Sequence, residues 1–231
     1  MTGASSGIGL STAKALAAAG GKVALLARTE STIKELAGEL PGSLPVTVDV
    51  TDFSALKDAV ATVHRHYGQI DGLVNNAGRS YGATVEDIDP EVFEEIFRLN
   101  VLSPIVAMQA VIPVMRAQGA GSIVNVNSGT AFMTVPAYSV YSASKRALLG
   151  FSLTAREELK GDGIVVGEVY PAVTATNFGV NRMGERKQGH PAADYAKGDP
   201  PEFVAEIILK AIVEGEAQYF ANDFIRGLAG K

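Results

Sequence analysis

Tyr141 and Lys145 are the residues whose types and spacing most directly indicate chemistry. They stand four residues apart in the segment YSASK, within a stretch that is predicted to be a helix over residues 138–160. Residues four apart in a helix project from the same face. A phenol ordinarily titrates near about pH 10, and a neighbouring ammonium favours its ionised form. The pair is therefore a candidate proton donor and acceptor at neutral pH.

Ser128 precedes this pair and ends the segment GSIVNVNS, residues 121–128, which is predicted to be a strand. Open α/β sheets bind their ligands beyond the carboxyl ends of the strands. The Ser128 hydroxyl could hold a carbonyl oxygen beside Tyr141. Tyr138 is not a candidate for this role, because Ser142 and not a lysine stands four residues after it.

The chain opens with the glycine-rich segment MTGASSGIGL, and a predicted helix follows over residues 8–19. Glycines allow a tight turn and a close approach of the backbone to a ligand, while the start of a helix attracts anions. The segment predicts a pyrophosphate site. Its residues are Gly3, Ser5, Ser6, Gly7, Ile8 and Gly9.

Arg28 ends the next predicted strand, residues 22–28. At this position dinucleotide-binding folds contact the adenosine ribose: an acidic residue suits a free 2′-hydroxyl, and an arginine suits a 2′-phosphate. Arg28 therefore favours NADP(H) over NAD(H). The alternative is that Arg28 is solvated or pairs with Glu30.

The bulk composition narrows the class of protein. A length of 231 residues favours one domain over residues 1–231. A net charge of −5 argues against a nucleic-acid-binding surface. The absence of cysteine excludes thiolate metal sites and agrees with a cytoplasmic location. Polar residues and prolines interrupt the apolar runs, so we predict no membrane span, and no metal site is proposed.

The predicted elements alternate between strand and helix. The fold class that this alternation predicts is α/β, a doubly wound, mostly parallel Rossmann-type sheet with helices on both faces. Residues 177–199 lack a period, and we predict a substrate lid there, with a surface loop as the alternative. The predicted strands are 22–28, 44–50, 71–76, 121–128, 164–170 and 218–221, and the helices are 8–19, 31–40, 52–67, 90–118 with a break near Asn100 and Pro104, 138–160 and 201–214.

With these motifs the chain resembles the single-domain branch of the short-chain dehydrogenase/reductase family over nearly its whole length. The matching segments are TGASSGIG, NNAG at 75–78, RLNV around Asn100, YSASK and PAVTAT at 171–176. The resemblance implies a catalytic set of Asn100, Ser128, Tyr141 and Lys145. The cofactor-binding residues that it implies beyond the opening turn are Asp49, Val50, Asn76, Ala77, Gly78, Tyr141, Lys145, Pro171, Thr174 and Thr176.

The resemblance implies hydride transfer between a nicotinamide and a carbonyl or secondary alcohol. In reduction, Tyr141 would donate a proton to the oxygen that Ser128 orients. Lys145 would bind the nicotinamide ribose and favour the phenolate, and Asn100 would hold a relay water. The alternative is an NADP(H)-binding sensor that turns nothing over.

The sequence says less about the substrate and the oligomeric state than about the catalytic and cofactor-binding residues. Candidate pocket residues lean apolar and favour a medium-sized hydrophobic ketone or aldehyde; they are Arg79, Ser80, Tyr81, Ala131, Phe132, Met133, Phe178 and Met183. In the lid, Arg182, Arg186, Lys187 and His190 could instead meet an acidic substrate or solvent. Apolar residues in excess of one core face, together with the resemblance, predict a homodimer or homotetramer. They are Val106, Met108, Val111, Phe151 and Leu153.

The first strand of the fold is nearly absent from this chain. In the family that strand precedes the glycine turn and lies between the strands predicted at 22–28 and 71–76. Unpaired backbone groups on both neighbours would be costly. We therefore expect the natural chain to extend upstream of Met1 by roughly five to eight residues.

Overall fold

The computed structural model describes residues 1–184 and 197–230, in which strands alternate with helices. The strands are β1 (Ala24–Ala27), β2 (Leu44–Thr47), β3 (Gly72–Asn75), β4 (Gly121–Val126), β5 (Ile164–Tyr170) and β6 (Gln218–Phe220). The helices are α1 (Gly7–Ala18), α2 (Glu30–Glu39), α3 (Phe53–Tyr67), α4 (Pro90–Phe97), α5 (Ser103–Gln118), α6 (Ser139–Leu159), α7 (Pro201–Glu214) and α8 (Asp223–Ala229).

The strands pair in parallel throughout the described residues. β1 pairs with β2, and a second group runs in the order β3-β4-β5-β6. The register places Asn125 of β4 opposite Glu168 of β5. Helices cover both faces, which confirms the predicted doubly wound α/β fold.

Residues 1–4 lie between β1 and β3 and join the two groups of strands. The Thr2 amide donates to the Val74 carbonyl over 3.0 Å, and the Leu26 amide donates to the Met1 carbonyl over 3.0 Å. Thr2 also forms a parallel bridge with Leu26. The glycine turn therefore starts at the carboxyl edge of the sheet.

Two apolar cores occupy the two faces of the sheet. Ile123 and Val124 are neighbours on β4, yet each belongs to a different core, because successive side chains of a strand point to opposite faces. One core packs residues of α3, α5 and α6, including Leu56, Met108 and Leu159. The other packs residues of α1, α2 and α7, such as Ile33 and Ile208.

The helical run Pro90–Gln118 is the one described helix that is long and apolar enough to cross a membrane by length and composition. Part of its most apolar window, 44%, is buried inside the protein. Met108 and Val111 are each 1% exposed and belong to the core. The prediction that these two residues exceed one core face is therefore wrong, because both pack into the core.

The break predicted in this run is a single π-helical turn, Arg98–Leu102. The Ser103 amide donates to the Arg98 carbonyl, five residues back. Such turns often occur at functional sites. Helix α8 was not predicted. Strand β1 is shorter than the predicted range, residues 22–28, and β2 is shorter than the predicted 44–50, because each ends where its pairing ends.

Candidate active site

A cleft of about 1030 Å³ runs along the carboxyl edge of the sheet. It is lined by the glycine turn and by the loops that follow β1 to β5. The predicted cofactor-binding residues that line it are Gly3, Ser5, Ser6, Gly7, Ile8, Arg28, Asp49, Val50, Asn76, Ala77, Gly78, Tyr141, Lys145, Pro171, Thr174 and Thr176. Gly9 lies beneath the turn and is absent from the lining.

The glycine turn leaves a cradle that side chains would fill. Gly3 and Gly7 have φ values of +67° and +53°, which disfavour other residues. A Cβ atom on Gly9 would lie 2.0 Å from the Gly3 carbonyl oxygen. Helix α1 begins here, and within the described residues the Ser6 side chain makes no capping hydrogen bond with it. The first amides of α1 can therefore receive a pyrophosphate, so the site fits a dinucleotide.

Asn76 ties the NNAG loop to the glycine turn. Its Nδ2 donates to the carbonyl oxygens of Thr2 and Gly3, over 3.2 Å and 3.1 Å. The Thr2 hydroxyl oxygen in turn accepts hydrogen bonds from the backbone amides of Asn76 and Ala77, over 3.0 Å and 3.1 Å. These contacts hold the turn in place between β1 and β3.

Arg28 and Asp49 lie together at the far end of the cleft. Nη1 of Arg28 is 4.0 Å from Oδ2 of Asp49, and both side chains are largely exposed. Burial raises the pKa of Asp49, but hydrogen bonds from Thr51 and the charges of Arg28 and Arg98 outweigh this and hold the pKa below its usual value. Two cations therefore face one carboxylate here.

Arg98 is a cleft residue that the sequence analysis missed. Its guanidinium lies 4.1 Å from the centroid of the Phe53 ring, and its Nε donates to the Thr51 carbonyl over 2.9 Å. The sequence feature that could have identified Arg98 is its position two residues before Asn100 in the RLNV motif. A planar cation fixed on an aromatic ring gives this end of the cleft a defined positive charge.

Tyr141 and Lys145 lie one turn apart on α6 at the other end of the cleft. They are 6% and 5% exposed, and the Lys145 Nζ is 5.9 Å from the centroid of the Tyr141 ring. This nitrogen also donates to the Val126 carbonyl over 2.8 Å. Burial lowers the pKa of Lys145 to about 8, while the charge of Glu168 opposes that shift.

Ser128 lines the same end of the cleft, just beyond β4. Its Oγ accepts hydrogen bonds from the amide and the hydroxyl of Thr130, over 3.2 Å and 3.0 Å. The structure thus brings Ser128, Tyr141 and Lys145 to one end of the cleft, as their motifs predict.

Asn100 lies behind the cleft, in the π-helical turn, and is 1% exposed. Its Oδ1 accepts the Arg79 amide over 3.1 Å. Its Nδ2 donates to the Arg79 carbonyl over 2.9 Å and to the Ser144 hydroxyl over 3.1 Å. The side chain of Asn100 therefore fixes the loop after β3 against α6, and it does not line the cleft.

Near Tyr141 the cleft is lined by several apolar side chains. The lining residues at this end are Arg79, Met133, Val135, Tyr138, Phe178, Asn181 and Met183. Of the predicted pocket residues, Ser80, Tyr81, Ala131 and Phe132 do not line it; Tyr81, Ala131 and Phe132 pack into small apolar clusters instead. Val135, Tyr138 and Asn181 were missed, because loop packing places them there.

The described ends of the predicted lid are held by backbone hydrogen bonds. Met183 exchanges such bonds with Ser80 and Gly82, and Asp199 exchanges them with Val173 and Ala175. Arg182 lies over the Tyr138 ring, 6.0 Å from its centroid. Arg186, Lys187 and His190 lie outside the described residues. Within the described residues, no group of three metal-ligating side chains occurs.

A glycine turn that opens a helix, joined by one cleft to a buried tyrosine-lysine pair, defines a dinucleotide-binding oxidoreductase site. The profile of the family described as short chain dehydrogenase matches residues 1–187. The chain belongs to this family.

The sequences and structures of known proteins that resemble this chain support its place in the family. The NADP-dependent 3-hydroxy acid dehydrogenase of Schizosaccharomyces pombe is 34% identical over 97% of this chain and 90% of its own length. A short-chain dehydrogenase structure from Streptomyces avermitilis has a TM-score of 0.87 and 30% identity over 99% of this chain and 89% of its own. A short chain dehydrogenase/reductase from Burkholderia phymatum in complex with NAD has a TM-score of 0.91 over 98% of this chain and 89% of its own, and at 22% identity it shows the same fold. The protein is an oxidoreductase of this family.

Proposed function

We propose that the protein is an NADP-dependent oxidoreductase acting on a carbonyl or secondary alcohol group. The observation that carries this proposal is the convergence of Ser128, Tyr141 and Lys145 at one end of the cleft that begins at the glycine turn. A bound nicotinamide would supply the hydride in reduction and accept it in oxidation. The protein would place the substrate oxygen and move its proton.

Tyr141 is the proposed proton donor in reduction and acceptor in oxidation. Its neighbour Lys145, with a pKa lowered to about 8 by burial, still carries a positive charge at neutral pH. That charge stabilises a phenolate formed when the proton leaves. Ser128 would orient the substrate oxygen toward Tyr141, and Lys145 would also donate to the nicotinamide ribose.

The preference for NADP(H) rests on Arg28. Its pair with Asp49 spans 4.0 Å between largely exposed groups, and such surface pairs contribute only about 0–1 kcal/mol. The guanidinium can therefore turn to a 2′-phosphate at low cost. The S. pombe relative is NADP-dependent, whereas the B. phymatum structure holds NAD. Titration of NADPH and NADH in wild type and in Arg28→Gln measures this preference.

The substrate end of the cleft supports a medium-sized, largely apolar ketone or aldehyde, because Met133, Val135, Phe178 and Met183 line it. Arg79 adds a cation at this end, with its Nε donating to the Asn181 carbonyl over 3.2 Å. A 3-hydroxy acid, whose carboxylate would meet Arg79, is a second candidate that the name of the S. pombe relative also favours.

We also propose that the protein is a homodimer or homotetramer in the cytoplasm. Leu153 on α6 and Leu102 at the end of the π turn are 39% and 44% exposed, although both are large apolar residues. Val106 and Phe151 are half-buried beside the core. A second copy packed on this face would remove these side chains from water.

The direct test is oxidation of NADPH, followed by nicotinamide absorbance, with a panel of ketones, aldehydes and 3-oxo acids. The reverse reaction is run with NADP⁺ and the corresponding alcohols. Turnover that is lost in Tyr141→Phe supports the proposal. Tight binding of NADPH with no turnover across the whole panel contradicts it and supports a cofactor sensor.

A further inference from the structure

Asn127 connects the two catalytic segments directly. It follows β4 and is 4% exposed. Its Oδ1 accepts the Ser128 amide over 2.9 Å, and its Nδ2 donates to the Lys145 backbone carbonyl over 3.1 Å. One side-chain amide therefore sets the position of Ser128 relative to the turn of α6 that carries Lys145.

Glu168 on β5 anchors Asn127 from below. Its Oε2 accepts the Asn127 Nδ2 over 2.9 Å and also accepts the Tyr170 hydroxyl. Gln218 on β6 donates to the same Tyr170 hydroxyl over 2.8 Å. A chain of hydrogen bonds thus runs from β6 through Glu168 to the catalytic serine and lysine.

Burial of Glu168 at this position lowers the stability of the fold. The residue is fully buried, and its second oxygen, Oε1, has no hydrogen-bond partner within residues 1–184 and 197–230. A buried carboxyl group with an unsatisfied oxygen destabilises a fold, and an apolar residue of similar volume usually serves stability better. Its presence beneath the active site therefore calls for a role other than packing.

Among the described residues, Lys145 supplies the positive charge that acts on Glu168. On its own strand stands Tyr170, whose pKa is raised by burial and by the Glu168 charge. Strands β4 and β6 present the neutral amides of Asn127 and Gln218. Helix α6 presents Lys145 and also the neutral hydroxyl of Ser152, which helps to lower the pKa of Glu168 against the effect of burial.

The charge of Lys145 favours the ionised form of Glu168, and the charge of Glu168 favours the protonated form of Lys145. Burial raises the pKa of Glu168, and the Lys145 charge opposes that shift. Burial lowers the pKa of Lys145 to about 8, and the Glu168 charge opposes that shift in turn. Without Glu168, the lysine would lose its proton at a lower pH.

We propose that Glu168 is a positioning residue of the active site, which fixes Ser128 and the Lys145 segment of α6 through Asn127 and supplies the carboxylate that faces the buried Lys145 ammonium. This rests on the proposed function in one respect, namely that Lys145 contacts the bound cofactor. A residue with a merely structural role would weaken cofactor binding equally at every pH.

The test is the dissociation constant of NADPH from pH 7 to pH 10, measured by the fluorescence of NADPH, in wild type and Glu168→Gln. Glutamine keeps an acceptor oxygen for Asn127 and Tyr170 but removes the charge. In wild type, we expect affinity to decline above about pH 8 as Lys145 loses its proton. In Glu168→Gln, the decline should begin roughly one pH unit lower, the low end of what a nearby opposite charge does.

Three further variants complete the test. Lys145→Met should show no decline, which assigns the decline to the lysine. Tyr170→Phe removes one donor to Glu168 but no charge, so its decline should match wild type. If Glu168→Gln does not fold, the double variant Glu168→Leu, Tyr170→Phe replaces the polar pair with apolar residues and should shift the decline in the same way.

A decline at the wild-type pH in a folded variant without the Glu168 charge would overturn the proposal. The same holds if affinity drops by one factor at all pH values. Because the measurement follows NADPH binding, it remains decisive even if no substrate is ever turned over. Failure of the proposed function and failure of this inference are therefore distinguishable.

Discussion

The Lys145 ammonium lies 5.9 Å from the centroid of the Tyr141 ring, one turn further along the same helix. Both side chains are buried at the inner end of the cleft, and the ammonium is fixed by the Val126 carbonyl at 2.8 Å. A cation held at this place acts on the tyrosine and on any ligand beside it. The proposed proton transfer depends on this arrangement.

Tyr141→Phe should abolish turnover and spare the cofactor site. The change removes only the hydroxyl, so we expect kcat to fall by about 10²–10⁴-fold, the usual contribution of a positioned proton donor. The dissociation constant of NADPH should stay within about threefold of wild type, since the glycine turn is untouched. Steady-state kinetics and fluorescence titration of NADPH measure the two effects.

The matched control for this variant is Tyr67→Phe. Tyr67 on α3 donates its hydroxyl to the Gly42 carbonyl and lies outside the cleft lining. Its loss should leave kcat unchanged. Substantial turnover in Tyr141→Phe would show that another group handles the proton.

The buried Lys145 should also give stability a pH dependence. Its pKa is lowered from the ordinary 10.5 to about 8 in the folded protein, because burial penalises the charge. Below about pH 8 both states are protonated and the full penalty applies; between pH 8 and 10.5 the unfolded chain binds the extra proton, so stability rises with pH. Relative to Lys145→Met, wild type should gain about 3 kcal/mol over that window.

Urea unfolding of the two proteins at matched pH values measures this difference. Other lysines and tyrosines titrate in the same range, but they are common to both proteins and cancel in the comparison. A constant difference between pH 7 and pH 10.5 would mean that Lys145 keeps an ordinary proton affinity in the fold.

Arg28→Gln should weaken NADPH binding by about 10–100-fold, because a charge-assisted hydrogen bond to a phosphate contributes about 1.5–3 kcal/mol. NADH lacks the 2′-phosphate, so its affinity should hardly change. Titration of both cofactors gives the ratio. Arg65→Gln, on the exposed side of α3, removes the same charge away from the cleft and should alter neither affinity. Equal losses for NADPH and NADH would remove the case for a 2′-phosphate site at Arg28.

Local sequence patterns predicted the parts of the site that depend on neighbours in the chain. Tyr141 and Lys145 are brought together by the helical repeat alone. The turn from Gly3 to Gly9 is likewise fixed by residues within one short segment. Its conformation follows from glycine backbones and the start of α1.

The remaining parts depend on contacts between distant segments. Asn127 reaches Glu168 only because β4 and β5 pair in a particular register and α6 packs over both. Arg98 begins the π-helical turn, which the sequence showed only as an interruption, and its charge acts on Asp49 in a distant segment. Helix α8 is short, and no strong apolar period marks it. Register and loop packing, rather than local preference, decide these features.

Leu153→Arg should disrupt assembly. Leu153 is a large apolar side chain on α6 with 39% of its surface exposed, and an arginine there would place a charge in a buried interface. We expect wild type to scatter as a multiple of the 24.1 kDa chain and the variant to scatter as a monomer at micromolar concentration. Glu35→Arg, at an exposed polar position on α2, is the control and should not change the mass. A monomeric wild type would contradict the proposed oligomer.

Gly9→Ala tests whether the turn must remain free of side chains. The added Cβ would lie 2.0 Å from the Gly3 carbonyl oxygen and 2.6 Å from the side-chain nitrogen Nδ2 of Asn76, and the Gly3 backbone cannot yield cheaply. We expect a loss of about 1–3 kcal/mol in stability from overpacking. NADPH affinity should fall much more than stability predicts, because Gly3 and Asn76 shape the cradle itself.

Gly38→Ala is the matched control for this change. Gly38 lies in α2, and a Cβ there would meet nothing within 4 Å among the described residues. Alanine suits a helix better than glycine, so the variant should gain up to about 1 kcal/mol. Its affinity for NADPH should equal that of wild type. Since both variants add one methyl group to a glycine, unchanged NADPH affinity in Gly9→Ala would show that the cofactor does not rest on this turn.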